Sequence, residues 1–166
     1  MTELTNQILA GLGWSAHFAR QLEADETRLT PARLSAVHRD RLEALGPSGP
    51  LSLIPAEPAG HYAVGDWVLC DGPRALRRLA PYTQLTRRAA GTRADTQRIA
   101  ANVDTVGIVT SCNADFNVAR LERYLAMVTA SGALPLVILT KADLAIDPRD
   151  DLMAAQRLSP LVTALA

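Results

Sequence analysis

The spacing of apolar positions changes in character along the chain. Over residues 1–27 it is helical: Leu4, Ile8 and Leu12 recur on one face, and Gly11 and Gly13 end the run. Ser15 is placed to cap a second helical turn that carries Phe18 and Leu22. Over residues 28–90 the spacing shortens to that of strands. Arg33–His38, Leu51–Ile54, Val64–Cys70 and Ala75–Leu79 are the expected strands. The breakers Gly46-Pro47-Ser48-Gly49-Pro50, Pro55, Pro58-Ala59-Gly60 and Asp71-Gly72-Pro73 separate them. Four or five short strands in such a stretch predict a small β-barrel, and the pattern suits an OB-fold or an SH3-like barrel equally. Residues 91–101 read as a basic linker.

From residue 102 to 166 the pattern is α/β. Val103–Thr110 reads as a buried strand, and Asp115 or Asn117 can cap the helix after it. Val118, Leu121, Leu125 and Val128 form that helix's apolar stripe, and Gly132 is suited to its C-terminus. Pro135 then opens Leu136–Leu139, a continuous apolar run of the kind that parallel strands covered on both faces carry. A second helix is expected from Asp147-Pro148, with Asp150 and Asp151 in its first turn, until Ser159-Pro160. Leu161–Ala166 begins another apolar run. A sheet of so few strands has unprotected edges, which predicts that the domain continues beyond these residues.

The chain has 166 residues, of which 48% are hydrophobic, enough to bury a core and to exclude a disordered or collagen-like chain. Cys70 and Cys112 are too few for a disulfide scaffold, and His17, His38 and His61 lie too far apart for zinc spacing, so no metal ligands are expected here. No apolar run is long enough to span a bilayer and the N-terminus lacks signal-peptide character, so a cytoplasmic, membrane-free protein is expected. Seventeen basic residues balance seventeen acidic ones, but the charge is segregated. Between residues 74 and 98 stand Arg74, Arg77, Arg78, Arg87, Arg88, Arg93 and Arg98, against Asp95 alone. Such a stretch suits phosphate oxygens of nucleic acid, or else is simply a solvated linker.

Directly after the second apolar strand come Thr140-Lys141-Ala142-Asp143, a [N/T]KxD tetrapeptide at the strand end where open α/β sheets bind ligands. A carboxylate at Asp143 can accept from guanine N1–H and its exocyclic amine, a donor pair adenine does not offer. The Lys141 stem can lie along the base plane, and the Thr140 hydroxyl can hold a neighbouring loop. Lys141 is the only lysine in the chain. No glycine is followed by lysine, so the phosphate-loop pattern GxxxxGK[ST] is absent. Asp104-Thr105-Val106-Gly107 matches DxxG, but it begins an apolar strand instead of ending one and is read as a decoy. The remaining expectations are a place in the barrel core for Trp67, packing at a helix start for Phe116, a turn or strand-opening role for Asp66, and surface pairing with Glu122 for Arg120 and Arg123.

Taken in order, several blocks resemble the ribosome small-subunit-dependent GTPase A family. They are Leu12-Gly13-Trp14, Ala63–Val68, Arg87-Arg88-Ala89-Ala90-Gly91-Thr92, Ile99–Asp104, Asp115-Phe116-Asn117, Leu121–Leu125 and Thr140–Asp143. The resemblance implies an N-terminal OB-fold barrel followed by the first part of a circularly permuted P-loop GTPase domain. It implies guanine recognition by Thr140, Lys141, Ala142 and Asp143, with Thr140 standing where asparagine is commoner. RNA contact is implied for Arg74, Arg77, Arg78, Arg87, Arg88 and Arg93. It further implies GTP with magnesium, zinc in a C-terminal region these residues do not include, and a monomer that binds the small ribosomal subunit and its rRNA during late maturation. No catalytic residue is expected within this chain. A non-enzymatic OB-fold RNA-binding module is the alternative.

Overall fold

The computed structural model describes residues 3–88, 96–113, 115–159 and 163–165. The chain divides into two compact units, Met1–Asn102 and Val103–Ala166. In the first, helices α1 (Glu3–Gly11) and α2 (Ala16–Ala19) and a 3-10 turn at Ala24–Arg28 precede strands β1 (Thr30–Val37), β2 (Leu42–Gly46), β3 (Gly49–Pro55), β4 (Trp67–Asp71) and β5 (Arg74–Arg78). These strands close into a barrel in the order β1-β2-β3-β5-β4, the small barrel that their spacing predicts. Strand β2 is not among the strands the pattern marks. Only Leu42 and Ala44 supply its inward apolar positions, while Glu43 and the part-exposed Leu45 point outward.

Alternation along β4 builds two cores. Val68 and Cys70 face into the barrel with Ala32, Leu34, Leu42, Leu53 and Tyr62. Trp67 and Leu69 face outward and are buried under Leu9 and Phe18, with Leu12, Trp14 and Leu22 packed around them. Trp67 is therefore not in the barrel core as expected: the alternation of β4 turns it outward, its ring edge-on to Trp14 at a centroid distance of 4.9 Å. The α1 stripe differs from expectation: Leu9 is buried, whereas Leu4 and Ile8 are exposed. The chain turns back at Gly13, whose φ is 92°, and the Trp14 N–H donates to Leu9 O at 2.8 Å, which brings the Leu9 face onto Trp67. Ser15 holds the N-cap position of α2 without a side-chain cap bond.

Polar contacts hold the helical segment against β5. The Arg77 guanidinium donates to both carboxylate oxygens of Glu26 and to Gln21 O. The Gln21 amide brackets Ala80, accepting from its N–H at 2.7 Å and donating to its carbonyl at 3.0 Å. The bond from Arg77, aided by the Glu23 N–H, holds the Glu26 carboxyl below its ordinary value. A depressed folded value means that stability from this contact is complete above the ordinary carboxylate pKa and disappears as pH falls through the lowered one. Denaturant unfolding is expected to show that stability loss on acidification in the wild type. Glu26→Gln should show less of it, because its contact does not titrate.

The barrel ends at Arg78, short of residue 90, and the next strands lie outside it. Strands β6 (Gln84–Arg88) and β7 (Thr96–Ala101) form an antiparallel pair. Residues 96–101, expected within a basic linker, are thus a strand, and the reason lies at the barrel's edge. The Asp66 carboxylate, fully buried beside β4, accepts from Arg98 at 2.8 and 3.1 Å and from the Ala63 N–H at 2.8 Å, with Arg78 3.7 Å away. Asp66 is accordingly a buried anchor for β7 and more than a turn residue. Asn102, at φ 55°, donates to Gly65 O at 2.9 Å and accepts from the Tyr82 N–H at 3.0 Å. Gly65 is required twice over: its φ is +89°, and a Cβ there would stand 2.1 Å from Ala101 O.

In the second unit, strands β8 (Thr105–Ser111), β9 (Leu134–Thr140) and β10 (Thr163–Leu165) form a parallel sheet in the order β10-β9-β8. Helix α3 (Val118–Ser131) links β8 to β9 and α4 (Pro148–Gln156) links β9 to β10. Asn117 caps α3 by accepting from Arg120 N–H at 2.8 Å, and Gly132, at φ 84°, ends it. Asp147 caps α4 ahead of Pro148. Leu121, Leu125 and Val128 are buried, whereas Val118, at the head of the stripe, is part-exposed. Along the run Leu136–Leu139 of β9, Val137 and Leu139 are buried and Leu136 and Ile138 part-buried. Ile108, Thr110, Val137 and Leu139 are buried, while Val109 and Leu134 are exposed. Helix α3 packs against both strands and supplies one covered face.

Candidate nucleotide-binding site

Parallel strands present ligands with their carboxyl ends, and β8 and β9 end level, with Ser111 opposite Thr140. The Thr140 hydroxyl donates to Thr110 O at 2.9 Å, and the Cys112 N–H donates to Thr140 O at 2.9 Å. Thr140 thus fastens the end of its strand to the neighbouring one. Lys141 follows at φ 58°, a left-handed backbone that a lysine seldom adopts. It reverses the chain into a 3-10 turn, Ala142–Leu144, in which the Leu144 N–H donates to Lys141 O at 3.0 Å. The turn leaves the Lys141 and Asp143 side chains exposed, and among the described residues neither has a hydrogen-bond or ion-pair partner. A lysine stem offers an apolar edge, and a free carboxylate two positions on offers a pair of acceptor oxygens.

An open cleft of about 500 Å³ is lined by Ser111, Asp115, Arg120, Tyr124, Thr140 and Lys141, and Asp143 is not among its lining residues. Arg120 donates to Asp115 O, and the Arg123 guanidinium stands 5.5 Å from the centroid of the Tyr124 ring. Nothing local in the sequence groups Ser111, Arg120 and Tyr124 with Lys141, because β8, α3 and β9 meet only through the fold. The pairing of Arg120 and Arg123 with Glu122 is replaced by these contacts. Asp104 precedes β8 at the opposite end of the sheet from Thr140, seven residues and roughly 23 Å from Ser111, the partner of Thr140. The DxxG pattern therefore lies away from the tetrapeptide.

The arginines separate into two groups. Arg74 and Arg87 are exposed, Arg87 donating to Gln97 at 3.0 Å. Arg77 and Arg78 are turned to Glu26 and Asp66 inside the fold. Arg88 lies in β6, and Arg93 falls outside the described residues. Burial pushes the thiols of Cys70 and Cys112 above their ordinary range. Among the described residues no three His, Cys, Asp or Glu side chains converge in a way that could hold a metal ion. Among the same residues no helix is long and apolar enough to cross a membrane.

The stretch from the end of the barrel through the tetrapeptide, residues 79–162, matches the family model described as RsgA GTPase. This chain belongs to the RsgA GTPase family. A relative from Mesorhizobium japonicum, named small ribosomal subunit biogenesis GTPase RsgA, is 52% identical over 162 residues, covering 93% of this chain and 46% of the relative. RsgA 2 of Vibrio parahaemolyticus is 39% identical over 160 residues, covering 95% and 45% respectively. The chain thus spans about half the length of these curated relatives. Two solved structures share the fold. YloQ, described as a circularly permuted GTPase, aligns over 82% of this chain and 50% of its own with a TM-score of 0.56 at 19% identity. YjeQ from Thermotoga maritima aligns over 82% and 51% with a TM-score of 0.57 at 16% identity. This RsgA-family chain therefore shares its fold with about half of YloQ and about half of YjeQ.

Proposed function

We propose that the complete protein binds and hydrolyses GTP during maturation of the small ribosomal subunit, and that this chain supplies its guanine recognition and part of its RNA contact. The observation that carries the reading is the turn at Thr140–Asp143, held by the Thr140–Thr110 bond at the carboxyl end of β9 with Lys141 and Asp143 free. In it Asp143 accepts from guanine N1–H and N2, the Lys141 stem covers the base, and Thr140 and the Ala142 backbone keep the turn in place. The names of the relatives support the small subunit as partner. The barrel order, with parallel pairing of β3 and β5, supports an OB-fold. Phosphoryl transfer rests on positioning and charge neutralisation, and a bound magnesium ion would supply part of the latter. No residue of this chain is assigned to that step.

Two measurements follow. The complete protein should hydrolyse GTP and spare ATP, faster with small subunits present. The 166-residue chain, whose sequence has no phosphate-loop pattern, should show no turnover above background. Multiple turnover by the isolated chain would contradict the assignment. For RNA, Arg74→Glu with Arg87→Glu should weaken binding and flatten its salt dependence, by a slope of about 0.9 for each phosphate no longer neutralised. The folded state should persist, because both side chains are exposed. Unchanged affinity and slope would remove these arginines from the RNA surface.

A further inference from the structure

Strands β6 and β7 carry a bulge whose placement guanine recognition does not explain. Leu85 pairs with Ala100 but Thr86 pairs with Arg98, so Ile99 stands as an extra residue in β7. On one side of the bulge the ribbon is fixed by burial of Leu85 and Ala101, and by the Ala101 N–H, which donates to Val64 O at 2.9 Å. On the other side every residue of Thr86–Arg88 and Thr96–Arg98 is polar, so hydrophobic burial does not choose the register there. Two pairings compete. A straight ladder would set Arg98 opposite Arg87, two like charges, and Gln97 opposite Arg88. The bulge instead sets Gln97 opposite Arg87, whose Nε–H donates to Gln97 Oε1 at 3.0 Å. It also turns Arg98 to the buried Asp66 carboxylate, at 2.8 and 3.1 Å.

We infer that the Asp66–Arg98 pair is a register pin that positions Arg87 for RNA phosphate. A slip of β7 by one residue would bring Gln97 or Ile99 to Asp66, and neither supplies a cation to the buried carboxylate. With Arg98 drawn inward, strand alternation turns Gln97 to the outer face beside Arg87. The Gln97 bond to Nε fixes the plane of the guanidinium, and the Nη edge is the one that suits two phosphate oxygens. Asp66, Arg98 and Gln97 are thus positioning residues, and Arg87 is the group that meets the ligand. Selecting a register is the use for which buried ionic groups are best attested. The same choice withholds Arg98 from RNA although it stands in the basic stretch, its side chain being only 11% exposed.

The inference rests on the RNA part of the functional reading, and the test separates the two. The complete protein is titrated with purified small ribosomal subunits over a series of salt concentrations. Arg87→Ala is made in the wild type and in the double variant Asp66→Ala with Arg98→Thr, which removes the pin without leaving Arg98 as a lone buried charge. In the wild type, Arg87→Ala should weaken binding about tenfold and lower the salt slope by about 0.9 for the phosphate no longer neutralised. The double variant should show the same loss by itself, and adding Arg87→Ala to it should cost nothing further. A purely structural role leaves the cost of Arg87→Ala the same in both backgrounds. Additive losses, or wild-type affinity in the double variant, would therefore overturn the inference. Gln97→Ala serves if the double variant does not fold, because Gln97 is exposed. It should weaken binding roughly three- to tenfold and reduce the cost of Arg87→Ala; unchanged affinity would overturn the pin. If Arg87→Ala is harmless in the wild type, the RNA contact of Arg87 is lost from the functional reading, and this inference with it.

Discussion

Asp143→Asn in the complete protein is expected to lose GTP affinity and gain XTP affinity. The Asp143 carboxylate is exposed and, among the described residues, unpartnered, so both oxygens are available to the N1–H and N2 amine of guanine. An amide replaces one acceptor by a donor, leaving at least one polar group of the pair unmatched. That mismatch costs about 1–3 kcal/mol, roughly ten- to a hundredfold in affinity. Xanthine carries a carbonyl where guanine carries its amine, and it can accept from the new amide. The change lies in a turn held by backbone bonds and by Thr140, none of which involves the Asp143 side chain. Competition binding should therefore show reversed preference in an otherwise intact protein. Equal GTP affinity in the two forms would remove Thr140–Asp143 from guanine recognition.

The largest stability effect is expected at Asp66. Its carboxylate is fully buried, and burial pushes its pKa up against the pull of the Ala63 N–H and the two arginines. Asp66→Ala would leave Arg98 buried without its counter-charge and would free the Ala63 N–H. Breaking a buried pair from one side costs about 3–5 kcal/mol, much of the stability of an ordinary domain. Removing both charges, as in Asp66→Ala with Arg98→Met, should recover a large part of the loss, because no lone charge remains. Denaturant unfolding of the two single variants and the double variant measures the coupling. If Asp66→Ala unfolds at the wild-type midpoint, the Asp66–Arg98 pair does not anchor β7.

What was legible in the sequence follows from the range of each interaction. Asn117, Gly132 and Asp147-Pro148 act within one turn of chain, and all three bound helices as their residue types imply. The tetrapeptide was legible because its residues need only the end of one strand to be placed. Pairings across the fold were not legible. Asp66 and Arg98 lie 32 positions apart, and nothing local to either announces the other. The same holds for Arg77 and Glu26, 51 positions apart, so two arginines read as RNA ligands are internal ties. Strand β7 reads as linker for a related reason: the tie that holds it, from Arg98 to a buried aspartate upstream, leaves no local signal.

The central claim is that Thr140–Asp143 forms the guanine site of an RsgA-family GTPase, and a crystal structure of the complete protein with GDP tests it most directly. The account predicts the Asp143 carboxylate within hydrogen-bond distance of both N1 and N2 of the base, the Lys141 stem against the ring plane, and the Thr140 hydroxyl still on Thr110 O. A base bound elsewhere, or one whose N1 and N2 face other residues, would contradict it.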